Sequence, residues 1–424
     1  MDPKRINLVA ADMGYGHQRA AFPLLDLGRE IITINDYPGI PDWERQYWLK
    51  NLRIYEAISR FKKIPLIGQG IFAVMDYFQR IEPFYPVRDL SPLSFQQKAF
   101  LKALKKGLGK DLITRLSQTN QPIVTTFFVA AYAAEFNDYQ GDVYCIICDS
   151  DVSRAWGPLW PKTSRTKFLA PNERVKARLQ MYGVKEKNIF VTGFPLPKDN
   201  VGFNQEILKV DLEKRLLRLD PQRQETAYYH DLIKDKSSLS KTDNKVEALT
   251  ISFAVGGAGA QKEIGAGLLE KLNVLIKTDL LKINLIAGSR PEVRNYFQKE
   301  IKRLGLANNP GVKIIFAEKK LDYFKKFNQC LRTTDVLWTK PSELSFYSGL
   351  GLPIIISSPV GSQEDSNREW LLSIGAGLDA LPLDYIEDWW SDWIASGCLA
   401  RAAVDGYLNA ASRGTYEIEK FFNN

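Results

Sequence analysis

A chain of 424 residues with 45% hydrophobic and 25% charged content carries enough apolar side chains for about two or three buried cores and is too hydrophobic to stay disordered. No apolar run reaches the roughly 20 residues that span a bilayer as a helix, and the four cysteines form neither a disulfide framework nor paired zinc-ribbon motifs. The net charge of +8 is concentrated, since residues 40–110 hold 13 Lys or Arg against 6 Asp or Glu.

In chain order, Ile6 to Ala11 predicts a strand that runs into the glycine turn Asp12-Met13-Gly14-Tyr15-Gly16-His17. The six mostly apolar residues before Asp12 are too few for a secretory leader, so a cytoplasmic chain is expected. Pro23 would remove a backbone hydrogen bond from the helix after the turn, which predicts a kink or early break. Further strands are expected near 31–35, 122–127, 143–148, 166–169 and 189–192, with helices between them, the grammar of a parallel sheet. Asn172 is a cap for a helix that stops at Gly183. Cys145 and Cys148 have CxxC spacing but lie in an apolar run, which suits buried strand residues better than a redox pair.

The basic segment 40–110 interleaves lysines and arginines with Trp43, Tyr47, Trp48, Phe84, Tyr85, Phe95, Phe100 and other rings. Such a surface fits an anionic membrane, where rings sit at headgroup depth and lysines attract lipid phosphates. Nucleic acid is a less suitable acidic partner, and a solvated helical insert is the plain alternative. From 203 to 247 the pattern fades into a charged connection. It restarts with strands near 248–255, 282–287, 312–316, 335–338 and 353–357. A second glycine turn, Gly256-Gly257-Ala258-Gly259-Ala260, follows the first of these. Ile264, Leu268, Leu272 and Leu275 form an apolar helical stripe after it, and Leu399, Ala402, Ala403, Leu408 and Ala411 form another near the end.

Ligands of open parallel sheets bind beyond the carboxyl ends of the strands, which fixes the candidate positions. His17 is one of only two histidines, and the positive end of a helix favours its neutral, proton-accepting form. It is the candidate base, or else a helix cap. Asp149 or Asp151 is the rival base. Gly14, Tyr15 and Gly16 of the first turn, and Arg154 past another strand end, are further candidate binding residues. The amides of Gly256, Gly257, Ala258, Gly259 and Ala260, with Ser289 and Arg290, would hold a diphosphate, unless the glycines merely make a tight turn. Lys340, Ser342 and Glu343 follow another strand end. Gln363 and Glu364 could grip sugar hydroxyls, or belong to a capped surface loop. No residue set suggests a metal or a bound cofactor.

These segments resemble GT-B glycosyltransferases of the group containing monogalactosyldiacylglycerol synthase and the peptidoglycan lipid-intermediate N-acetylglucosaminyltransferase. Asp12 to Ala21 is similar to that group's acceptor-side loop with its histidine. Ala170-Pro-Asn-Glu-Arg through Tyr182-Gly183 to Val191-Thr-Gly-Phe-Pro195 is similar to its helix and V-T-G-x-P turn. Thr339-Lys340-Pro341 to Gly351-Leu-Pro353, Pro359 to Asn367 and Gly375-Ala-Gly377 are similar to its donor block. The resemblance implies two Rossmann-like α/β domains across a cleft: an acceptor domain at 1–202, the connection at 203–247, a donor domain at 248–397, and a C-terminal helix at 398–424 returning to the first domain.

It further implies a UDP-sugar donor, a lipid or lipid-linked acceptor, inversion without a metal, and a cytoplasmic chain at the membrane face. The group's ribose-binding glutamate position is Phe346 here, with Glu343 one helical turn earlier as substitute. Tyr15 and Pro341-Ser342 also depart from the pattern. A sugar-nucleotide epimerase of similar architecture, or a nucleotide-sugar-binding membrane protein without catalysis, is the alternative. A dinucleotide oxidoreductase fits poorly, since the first turn lacks the third glycine and bears a histidine instead.

Overall fold

The architecture comes from a computed structural model, which describes residues 5–61, 80–222, 248–256, 259, 261–359 and 361–423. The chain forms two compact units: Met1–Leu196 with Val360–Asn367 and Arg413–Asn424, and Pro197–Pro359 with Arg368–Ser412.

The first unit is built on a parallel sheet of β1 (Ile6–Ala10), β2 (Gly28–Thr33), β3 (Ile123–Thr125), β4 (Val143–Ile146), β5 (Lys167–Ala170) and β6 (Ile189–Val191), in spatial order β2-β1-β3-β4-β5-β6. The inner strands β3 and β4 are short and nearly wholly apolar because both of their faces are covered, whereas β2 at the edge exposes Arg29 and Glu30. One face packs Val9, Ile123, Cys145 and Phe168 against helices such as Phe128–Phe136, whose residues Phe128 to Ala134 are all buried. The other face packs Leu8, Val124, Tyr144 and Leu169 against Ile418 and Phe422 from the chain's end. The helix after β1 ends at Ala21 and continues as one 3-10 turn over Phe22–Leu24, the break that Pro23 predicts. Asn172 caps Glu173–Met181 by accepting from the Val175 amide at 2.8 Å, and Gly183, at φ +83°, ends that segment.

In the second unit, β7 (Leu249–Ala254), β8 (Leu281–Gly288), β9 (Val312–Phe316), β10 (Val336–Thr339), β11 (Ile354–Ile356) and β12 (Gly377–Asp379) lie in the order β12-β11-β10-β7-β8-β9, all parallel. Read from β9, this is the 3-2-1-4-5-6 order of a Rossmann sheet. Leu268 and Leu272 are buried against it, with Ile264 and Leu275 half-buried at its margin. β12 is absent from the sequence reading because three residues next to glycine carry no strand periodicity.

The boundaries differ from those expected. The supposed connection opens with a core helix, Glu206–Leu219, which buries Leu208, Leu212, Leu216 and Leu219 in the second unit. The remainder, 223–247, lies outside the described residues. The C-terminal segment is two helices. Cys398–Asn409 belongs to the second unit, with Leu399, Ala402 and Ala403 inward and Leu408 exposed, and Ala411 beyond it is exposed too. Gly414–Glu419 returns to the first unit. Gly414 passes so close to the Phe194 carbonyl that a Cβ would collide with it and only glycine fits.

Candidate active site

In the first unit, successive crossovers leave β1 in opposite directions, toward β2 and toward β3. The carboxyl ends of β1 and β3 therefore flank a topological switch point. The loop after β1 is pinned there by Asn35, whose side chain accepts from the Asp12 amide at 2.7 Å and donates to the Asp12 carbonyl at 3.0 Å. Gly14 turns the chain at φ +109°, a conformation that favours glycine. Gly16 opens the helix, and Tyr15 is buried with the Arg19 guanidinium 5.7 Å from its ring centre. Tyr15 thus packs within the unit.

His17 is half-buried on the first turn of that helix. Its Nδ1 lies 2.7 Å from the carbonyl oxygen of Thr126, the residue just past β3. A carbonyl can only accept, so Nδ1 carries the proton and the neutral ring has its lone pair on Nε2. Phe127 meets the imidazole edge-on at 5.0 Å, and Trp156 lies at 6.0 Å.

The two aspartates after β4 have different surroundings. Asp149 is half-buried, and its Oδ1 accepts from the Asn367 amide at 3.0 Å. The same amide group accepts from the Ser150 N–H at 2.9 Å, and the Ser150 hydroxyl donates to the Ser366 carbonyl. These bonds fasten 360–367 into the first unit, so Gln363 and Glu364, both half-buried, belong there and not to the expected donor domain. Asp151 is buried and saturated. Arg178 grips both its oxygens at 2.8 and 2.9 Å, Arg174 adds a third contact, and the Val152 amide a fourth. Such a carboxylate has the surroundings of an anchor. Arg154 is also interior, joining the Ser91 and Pro158 carbonyls, and burial pulls its guanidinium below the usual arginine range. Through these two bonds it holds loops together.

The second unit has its switch point between β7 and β10. The turn after β7 is closed by a 2.7 Å bond from the Gly259 amide to the Gly256 carbonyl, with Gly259 at φ +72°. Gly257, Ala258 and Ala260 lie outside the described residues. A Cβ on Gly259 would stand 3.1 Å from Val293 and 3.8 Å from the Arg290 side chain, so the turn lies against the start of helix Pro291–Arg303. Arg290 stands just before that helix, next to Ser289, without capping it through its side chain, and pairs at 3.4 Å with the exposed Glu292. Lys340, Ser342 and Glu343 follow β10, all half-buried, with Glu343 opening the 3-10 helix Glu343–Leu350. Phe346 in that helix is buried, with its ring 5.0 Å from Trp370. The structure thus assigns Phe346 to packing. Among the described residues, no cluster of His, Cys, Asp and Glu is suited to a metal.

The basic segment divides in two. Trp48 and Glu44 of helix Asp42–Phe61 are buried, while Trp43 is exposed. Tyr85, Val87 and Phe95 are exposed, together with Lys98, Lys102, Lys105 and Lys106 on and beside helix Phe95–Lys105. Residues 62–79 lie outside the described residues. No described helix is long and apolar enough to cross a membrane.

Sequence reasoning missed Asn35 and Thr126. Neither belongs to a motif, and Thr126 touches the imidazole through its main chain, which leaves no mark on residue type.

No protein-family model matches the chain. Over 390 residues it is 20% identical to the processive diacylglycerol beta-glucosyltransferase of Bacillus subtilis (strain 168), covering 88% of this chain and 83% of that protein. It is 22% identical to the Bacillus cytotoxicus protein of the same name, covering 88% and 81%. Among solved structures it is similar to UDP-GlcNAc 2-epimerase from Neisseria meningitidis bound to UDP-GlcNAc, at 15% identity, 99% of each chain and a TM-score of 0.48. It is also similar to MurG of Acinetobacter baumannii, at 12% identity, 99% of each chain and a TM-score of 0.46. The resemblance to glycosyltransferases that the motifs carry extends along most of the chain, and two Rossmann-like units are the architecture it implies.

Proposed function

We propose that the chain is an inverting, metal-independent glycosyltransferase that moves a sugar from a UDP-sugar to a hydroxyl of a lipid or lipid-linked acceptor. The observation that carries this reading is His17, held at the switch point of the first sheet with its Nδ1 hydrogen on the Thr126 carbonyl. The basic Nε2 suits removal of the acceptor's hydroxyl proton as its oxygen bonds to the anomeric carbon and the sugar's bond to the diphosphate breaks. Help of this kind is worth about 10² to 10⁴ in rate.

The turn from Gly256 to Ala260, with Ser289 and Arg290, would receive the leaving diphosphate. Each well-placed donor there contributes roughly 3 to 4 kcal/mol to the transition state. Lys340, Ser342 and Glu343 stand at the second switch point, where a nucleotide is bound in sheets of this order. Glu343 takes the ribose in place of Phe346. Gln363 and Glu364 orient the sugar, and Asp149, keyed by Asn367, is the rival base. The relatives' name supports diacylglycerol as the first acceptor to assay. The exposed lysines and rings of 85–106 support peripheral attachment to an anionic membrane.

The test is calorimetry with UDP, UDP-sugars and NAD, followed by product analysis with UDP-glucose and diacylglycerol vesicles. A β-linked glucolipid formed in chelator supports the proposal. Binding of NAD alone overturns it. Interconversion of UDP-sugars without any acceptor replaces it with the epimerase reading, and UDP binding without turnover replaces it with a binding protein.

A further inference from the structure

An unconstrained neutral imidazole prefers its proton on Nε2, the tautomer that would leave His17 unable to accept a proton there. Something must impose the other form, and the contacts around Thr126 supply it. The Thr126 amide donates to the Val9 carbonyl of β1 at 3.1 Å. The Thr125 hydroxyl bonds both ways with Phe127, donating to its carbonyl at 3.1 Å and accepting from its amide at 3.0 Å, which locks the turn. The Thr126 hydroxyl donates to the main-chain carbonyl of His17 at 2.9 Å, while the Thr126 carbonyl accepts from the His17 ring at 2.7 Å. Two bonds of opposite sense thus close a ring between the two residues. The Cys148 thiol, 3.8 Å from the same carbonyl, adds a weak donor. Thr126 is wholly buried, so no water competes for its hydroxyl.

We infer that Thr126 is a positioning residue: its hydroxyl clamps the His17 backbone so that its own carbonyl selects the Nδ1–H tautomer. The inference rests on His17 being the base of the proposed reaction, but the tautomer itself can be read without any turnover.

The experiment is nitrogen NMR of the full-length protein labelled at histidine. The chain has only two histidines, and a His230→Gln variant assigns the signals. In the wild type, above the imidazole titration range, the His17 proton is expected on Nδ1. Thr126→Val keeps the shape and removes the hydroxyl. It should bring in the Nε2–H form and lower kcat by about tenfold to a hundredfold, the scale of a misplaced catalytic group, with little change in KM or in UDP affinity. Thr126→Ser keeps the hydroxyl and should restore both readouts. Should the valine variant unfold, Thr126→Ala, which also removes the hydroxyl, takes its place with the same expected shift. A wild-type ring protonated on Nε2, or a folded Thr126→Val protein with an unshifted tautomer, overturns the inference. A wild-type Nδ1–H signal with full turnover in His17→Ala would instead leave the clamp standing and remove the proposed base.

Discussion

Asp151→Asn separates an anchoring carboxylate from a catalytic one. The Asp151 and Arg178 side chains are 2% and 1% exposed, and their bidentate contact is 2.8 and 2.9 Å long. Arg174 is 48% exposed on the same carboxylate, so solvent screens that contact and it adds little. The substitution leaves the Arg178 cation buried without its counter-charge. Breaking a buried pair in this way costs about 3 to 5 kcal/mol. Asparagine can still accept from the Val152 amide and one guanidinium N–H, which favours the lower end. About 3 kcal/mol corresponds to a fall in Tm of roughly 6 to 12 °C for a unit of this size. Thermal melts give the stability, and turnover is then measured well below the variant's midpoint, where it should fall far short of the about 10²-fold loss expected for a missing base. Asp151→Asn/Arg178→Met should recover most of the stability, because the methionine would pack near Phe84, whose ring now lies 5.0 Å from the guanidinium. An unchanged melting point with turnover lost a hundredfold would refute the reasoning and return Asp151 to the list of bases.

His17→Ala should lower kcat by about 10² to 10⁴ with UDP affinity retained, and near-normal turnover would remove it as the base. Burial raises the Glu44 carboxyl above its ordinary 4.5, so its contribution to folding is complete below that pH and is lost as pH rises through the folded value. Glu44→Gln keeps an acceptor for the Gly109 amide and lacks this loss; melts should show it level with the wild type near pH 4 and more stable at pH 7, and the opposite order would contradict the sign. Phe346→Glu should place a carboxylate in the packing against Trp370 and destabilise the chain by about 3 kcal/mol or more, without tightening UDP binding. Tighter binding by calorimetry would show that the position still faces ribose. Sedimentation with anionic vesicles should show salt-sensitive binding that Lys98→Glu/Lys102→Glu weakens, and no pelleting at low salt would remove the membrane surface.

The parallel grammar of both sheets was legible because strands covered on both faces read as short apolar runs such as Val143–Ile146, and because glycine and proline mark their ends. Pro23, Asn172 and Gly183 each act locally, so their effects follow from residue type alone. Domain boundaries were not legible. Glu206–Leu219 has charged residues among its leucines, and Arg215 in its middle is wholly buried, held by the Thr334, Leu350 and Gly351 carbonyls. A composition reading takes such a helix for a solvated connection, since its partners lie more than a hundred residues away.

The same limit explains the site. His17 stood out because histidine is scarce and sits on a glycine turn, both of which are sequence facts. What makes it a candidate base is a main-chain oxygen 109 residues later, placed by the adjacency of β1 and β3. The aspartates illustrate the converse. Asp149 and Asp151 are indistinguishable as letters two apart beyond one strand, yet alternate residues there meet different neighbours: Asn367 for the first, and two arginines on a helix for the second. An acid engaged by two guanidinium groups and a backbone amide has its charge committed to the fold. The choice between anchor and reagent is therefore set by the partner's charge, and only topology supplies the partner.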